Sequence, residues 1–172
     1  MGNKSTKAET RQDEEDDDLD PDAQENSNKA SYYTMMKQAY QSLVNAIIRP
    51  PRCDYETSQL GPSIFQFCGK TFRRTDFELT NPRNLKFVCS MWEPIPEDRP
   101  NKVLPCVIYM HGNSSSRLEA LSSLSLVLSL GATLLSLDFS GSGKSEGDYV
   151  TLGFFEKDDL DVSSYFTVEW LT

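Results

Sequence analysis

A single histidine, His111, stands in 172 residues, and none of the four cysteines (Cys53, Cys68, Cys89, Cys106) is spaced C-x-x-C from another. That set is too poor in ligands to build a zinc site. Three of the cysteines lie in or beside apolar runs, so all four read as small reduced residues of a core. Basic residues are also few: 17 Lys and Arg against 26 Asp and Glu leave a net charge of −9. Without a basic stripe the chain does not read as a nucleic-acid binder. No apolar run reaches the roughly 18 residues needed to span a bilayer. The amino terminus is polar from the outset, so it does not read as a secretory signal, and no internal repeat is apparent. What remains is a cytoplasmic protein, peripheral to a membrane at most, with no cofactor expected.

The acidity is concentrated at one end. Residues 1–30 hold ten acids against four bases, six of the nine net negative charges. Such a block cannot bury enough apolar surface to offset the entropy of ordering it, and a disordered tail over 1–30 is expected. Its first residues, Met1-Gly2-Asn3-Lys4-Ser5-Thr6, fit the M-G-x-x-x-[ST] pattern for acylation of Gly2 by myristate. One myristoyl chain holds a membrane only marginally, no cysteine nearby could take a second lipid, and anionic lipid would repel the acidic run from Asp13. Weak, reversible membrane association through Gly2 is the most that this implies.

Residues 31–60 read as an amphipathic helix and a linker. Ser31 is the candidate N-cap, Met36, Tyr40, Leu43 and Ile47 recur at helical spacing, and Pro50-Pro51 stops the helix. Packing back on its own domain is the expected fate of that apolar stripe, ahead of a partner or a membrane surface. Folded structure is expected from about Gly61, in a domain spanning 61–172.

Three strands are expected over 64–68, 72–79 and 85–92. Phe77 and Leu79, then Leu85, Phe87, Cys89 and Met91, fall at alternate positions around the turn Asn81-Pro82-Arg83-Asn84, which makes the last two a hairpin. Residues 93–100, with three prolines, read as an exposed loop. Over 106–110 and 132–139 short unbroken apolar runs read as parallel strands buried on both faces, joined by a leucine-rich helix from Ser116. A last helix from about Phe154 would present Leu160, Ser163 or Ser164, Val168 and Leu171 on one face.

Three patterns compete in residues 104–147. Gly141-Ser142-Gly143-Lys144-Ser145 has the tail of a P-loop, but the position of that motif's first glycine is Asp138, whose charge would repel polyphosphate. Nucleotide binding is therefore the weaker alternative. Gly143-Lys144-Ser145-Glu146-Gly147 is a literal G-x-S-x-G, yet no helix follows at once, and the only histidine lies upstream. Ser145 reads as a loop residue bonded within its own turn. At the end of the first parallel strand, His111-Gly112-Asn113 could turn backbone N–H groups into the space above the sheet, where they would stabilise a developing oxyanion.

Taken together, the hairpin, PCVIYMHGN, the leucine-rich helix and D-x-x-G-x-G-x-S-x-G resemble the amino-terminal half of the α/β-hydrolase superfamily. The nearest likeness is to its serine-aminopeptidase-type and esterase- or lipase-like members, and it covers about 61–172. The resemblance implies an α/β fold in which an antiparallel hairpin leads into parallel strands with a crossover helix. It further implies that Gly112 and Asn113 form an oxyanion hole on the turn begun by His111, and that Asp138, Gly141, Gly143, Ser145 and Gly147 shape a structural loop. Substrates of the full-length family would be acyl esters, amides or peptides. In that fold the nucleophile, the acid and the catalytic histidine come after the helix in which these residues end. The expectation is thus a truncated hydrolase, inactive alone, with strand 106–110 left bare on one edge for pairing. The alternative is a non-catalytic, lipidated interaction protein.

Overall fold

Alternation along two strands divides the core. A computed structural model describes residues 21–171, with side chains from 29 to 170. On β3 (Lys86–Pro94), Phe87, Cys89 and Met91 are buried with Leu135 and Leu137 of β5 (Thr133–Leu137). Trp92 of β3 and Leu134 of β5 turn the other way and pack with Phe72, Val127 and Leu128. The strand period of two thus yields two apolar clusters on opposite faces of one sheet.

That sheet has five strands. β1 (Ile64–Phe67), β2 (Lys70–Thr80) and β3 are successive antiparallel neighbours, β3 pairs antiparallel with β5, and β5 pairs parallel with β4 (Cys106–Met110). The order is β1-β2-β3-β5-β4. Register sets Phe77 opposite Cys89 and Leu79 opposite Phe87, so the apolar face of the hairpin is continuous. Asn81 makes its turn: the side-chain oxygen accepts from the N–H groups of Arg83 and Leu85, each at 3.0 Å, and Asn84 takes φ +59°. Helix α2 (Leu121–Ser129) connects β4 to β5 and covers the Trp92 face, while α3 (Glu156–Leu171) brings Val162 and Phe166 to the Phe87 face. This is the mixed α/β architecture expected, with an antiparallel hairpin leading into a parallel pair.

Several local expectations are corrected. Helix α1 begins at Pro21 and runs to Ile48, so Ser31 lies inside it and is no N-cap. The first 20 residues of the expected disordered tail, Gly2 among them, lie outside the described residues. The chain divides into two compact units, Met1–Ser42 and Leu43–Thr172. Residues 43–60 cluster with the sheet, and Tyr55 and Leu60 are buried in its core. Glu93 is no exposed loop residue: it is buried at the end of β3, between Arg73 and Arg99. On α3 the buried residues are Asp159, Ser163 and Thr167, and Val168 is exposed. Strand β4 is not buried on both faces. It has a pairing neighbour on one side only, and Val107 and Met110 are exposed, whereas β5, flanked by two strands, is wholly buried.

Candidate functional site

β5 ends at Leu137, and the next residue organises everything above it. The buried Asp138 carboxylate accepts from the Arg117 N–H at 2.6 Å, the Tyr55 hydroxyl at 2.6 Å and the Lys144 N–H at 2.9 Å. Its backbone N–H donates to Val88 O and its carbonyl accepts from Ser145 Oγ at 2.6 Å. Burial, reinforced by the Asp138 carboxylate, pushes the Tyr55 hydroxyl well above its ordinary range, so it stays a proton donor. The Arg117 guanidinium is buried nearby, donating to Cys89 O at 3.0 Å and lying 5.7 Å from the Tyr55 ring centre. One buried cation and one buried anion thus share a neighbourhood, which lowers the cost of desolvating each.

Asp138 also explains the glycines that follow. Gly143 has φ +47°, and a Cβ there would lie 2.4 Å from Asp138 Oδ2. Gly141 has φ +85°, and its Cβ would meet Tyr149 O at 2.3 Å. No side chain fits at either position. The loop's donors are spent inside it: Gly141, Ser142 and Ser145 N–H go to Glu146, Phe139 and Ser142 carbonyls, and Lys144 N–H to Asp138. A P-loop needs such N–H groups free for phosphate. Lys144 Nζ instead lies over the Tyr55 ring, 5.2 Å from its centre. Ser145 Oγ donates to Asp138 O and accepts from Val88 N–H at 2.9 Å, so its hydroxyl is a structural brace with no base beside it. Gly147, at φ +109°, closes the loop where Arg52 reaches the carbonyls of Ser145 and Gly147.

His111 is equally committed. Its Nε2 accepts from Phe139 N–H at 3.1 Å, and Nδ1 lies 2.7 Å from Gly112 O, which fixes the neutral tautomer with its proton on Nδ1. The ring ties the end of β4 to the residue after Asp138 and is available to no serine. Gly112 departs from expectation, because its N–H donates to Glu119 Oε2 at 2.9 Å and is not open to a ligand. That bond, with the Ser115 hydroxyl second, holds the Glu119 carboxyl below its usual range. Asn113 is different. Its side-chain oxygen accepts from Ser114 N–H at 3.0 Å, while its own N–H has no partner among the described residues.

Above the carboxyl ends of β4 and β5 opens a mainly apolar cavity of about 250 Å³, lined by Met110, His111, Asn113, Phe139, Val150 and Leu152 among others. Glu156 borders it with its carboxylate fully engaged by Thr151 N–H, Thr151 Oγ1 and Gly153 N–H at 2.6–2.7 Å. Burial pushes that carboxyl up, but these hydrogen bonds outweigh it and the net shift is downward. Chemically, the cavity can take an apolar group and offer it one backbone donor. Among the described residues no group of three or more His, Cys, Asp or Glu side chains could hold a metal ion.

Tyr55, Arg52, Arg117 and Glu119 were not among the residues the sequence singled out. No local pattern marks them, since Tyr55 and Arg52 act across 83 and 93 positions of chain.

No family model matches the chain. It is 29% identical to the structure of the Pyrococcus furiosus esterase Pf2001, with a TM-score of 0.50, over 70% of this chain and 41% of that one. The hypothetical protein PA2218 from Pseudomonas aeruginosa superposes with a TM-score of 0.52 at 16% identity, covering 65% of this chain and 35% of that one, a likeness of fold alone. An uncharacterized protein of Bacillus subtilis, YqkD, is 38% identical over 66 residues, which are 38% of this chain and 20% of that protein. The fold is α/β-hydrolase-like with esterase-like neighbours, and the chain spans less than half the length of each of these proteins.

Proposed function

We propose that the chain supplies the oxyanion-binding part of a serine-hydrolase site that cleaves acyl esters, amides or peptides, in the manner of serine-aminopeptidase-type or esterase-like enzymes. The observation that carries this reading is the unpartnered Asn113 N–H beside an apolar cavity at the carboxyl ends of the parallel strands. An acyl group would sit against Met110, Phe139 and Leu152, and its carbonyl oxygen would take the Asn113 N–H as negative charge develops. Gly112 N–H, occupied by Glu119, would hold the turn in shape.

Nucleophilic attack needs a serine or cysteine beside a base. The single imidazole has both nitrogens engaged and Ser145 is spent on Val88 and Asp138. In this reading the nucleophile, acid and base come from polypeptide beyond these 172 residues, and the chain alone is inactive. Two measurements test it. The 172-residue chain should not be labelled by a fluorophosphonate probe; saturable labelling lost on Ser145→Ala or Ser142→Ala would overturn the proposal. The transcript read past Thr172 should encode a strand ending in G-x-S-x-G, and in that longer enzyme Asn113→Pro, which removes the donor, should lower kcat by about 10²- to 10³-fold. A transcript with no such segment would sink the reading.

A further inference from the structure

A second cavity, of about 260 Å³, opens on the face of the sheet that α2 covers. A short helical turn (Thr57–Leu60) contributes Leu60 to it, β1 contributes Phe65, β3 contributes Trp92, and α2 contributes Leu121 and Leu124, three positions apart on one side of the helix. Phe65 is held in place by Phe72, its pairing partner on β2, with ring centres 5.7 Å apart and planes at 19°. The cavity is separate from the candidate site. Trp92 stands opposite Leu134 near the start of β5, the candidate site lies above the end of that strand, and no residue lines both.

Its walls hold one buried donor without an acceptor. Trp92 is fully buried, and its Nε1–H has no partner among the described residues, whereas a buried indole N–H ordinarily finds one. Nearby polar groups are committed: Gln59 Oε1 accepts from Glu56 N–H at 2.7 Å, Gly61 N–H donates to Ser58 O at 3.1 Å, and Gly61 O accepts from the Arg74 guanidinium. No Asp, Glu, Lys, Arg or His side chain lines the cavity, so a charged ligand would lose its hydration without compensation. A neutral ligand is favoured, and two aromatic walls, Trp92 and Phe65, suit a ring. An apolar cavity of about 150 Å³ takes benzene. About 260 Å³ therefore leaves room for a ring with a short substituent. A peptide loop fits worse, because its several backbone groups would meet a single donor.

We infer that this cavity binds a small neutral aryl carbonyl compound, with its ring against Trp92, Phe65, Leu121 and Leu124 and its oxygen accepting from Trp92 Nε1–H. The site is independent of the proposed hydrolase role, and neither needs the other.

The test titrates the isotope-labelled 172-residue chain with acetophenone and, separately, with α-methylstyrene, which keeps the shape and replaces the carbonyl oxygen by a methylene group. Trp92 and Trp170 give the indole N–H signals in a nitrogen–proton correlation spectrum, and Trp170→Phe identifies that of Trp92. Acetophenone should move the Trp92 indole proton downfield and saturably, and α-methylstyrene should not. Leu124→Phe, which narrows the cavity, should weaken the acetophenone response at least about fivefold. Trp92→Phe should weaken acetophenone binding, read by saturation transfer to the ligand, about two- to tenfold, the worth of one neutral hydrogen bond. Should that variant fail to fold, the comparison of the two ligands on the parent chain still decides. No saturable movement of the Trp92 signal with acetophenone would overturn the proposal and leave the indole N–H to water. So would an equal downfield movement with α-methylstyrene, or an undiminished acetophenone response in Leu124→Phe.

Discussion

At the scale of residues, the loop after β5 is governed by Asp138. Gly143→Ala forces a side chain into left-handed backbone and onto the Asp138 carboxylate, 2.4 Å from Oδ2. Backbone strain alone costs about 1–3 kcal/mol, and the clash adds to it, so urea unfolding should show the larger loss here than for Gly61→Ala, where φ is +84° but nothing lies within 4 Å. Tyr55→Phe removes one charge-assisted donor from Asp138 and should cost about 1.5–3 kcal/mol; a cost near zero would show that water replaces the phenol. Glu156 gives the pH dependence. Its folded pKa lies below its unfolded one, so it contributes stability above the ordinary glutamate range that is lost as pH falls through the folded value. Glu156→Gln should therefore flatten the fall of the unfolding midpoint below about pH 4.5, and an unchanged acid limb would refute the assignment. The glycine pattern was legible because such backbone leaves few choices. Tyr55, Arg52 and Arg117 were not, because each acts on a carboxylate or carbonyl far along the chain.

At the scale of elements, what could be read depended on how many neighbours an element has. The β2–β3 hairpin was legible, since Phe77, Leu79, Phe87, Cys89 and Met91 alternate and Asn81 supplies the turn. β5 was legible as a buried strand. β4 has the same apolar pattern, yet an edge position leaves Val107 and Met110 exposed, and no sequence run records how many strands flank it. On α3 the periodicity misled, because polar residues face inward: Asp159 accepts from Asn81 Nδ2 at 2.6 Å and Ser140 N–H at 2.8 Å. A buried carboxylate that ties a hairpin turn to a loop outweighs one more leucine in placing the helix. The contrast between strands is measurable. Leu135→Ala in β5 should cost about 2–5 kcal/mol in urea unfolding at low protein concentration, and Val107→Ala in β4 less than about 1 kcal/mol. Equal costs would mean that β4 is covered in solution.

At the scale of the whole molecule, one edge of the sheet decides how the chain behaves. β1 is short and Gln66 interrupts it, but β4 offers an unpaired row of backbone donors and acceptors beside the apolar Val107 and Met110. Natural sheets protect such edges with charge, proline or a covering element. Only Pro105 precedes this strand, and no charged residue lies within it. The chain spans 41% of a longer esterase, and under the proposed function further polypeptide would cover this edge. The chain alone should then associate as its concentration rises, with a sedimentation coefficient that grows through the micromolar range. Val107→Lys should suppress that association by placing a charge on the edge. A parent chain that stays monomeric across that range and unfolds in one cooperative step would show that the edge needs no partner, and would remove the main physical reason for reading these residues as part of a larger catalytic fold.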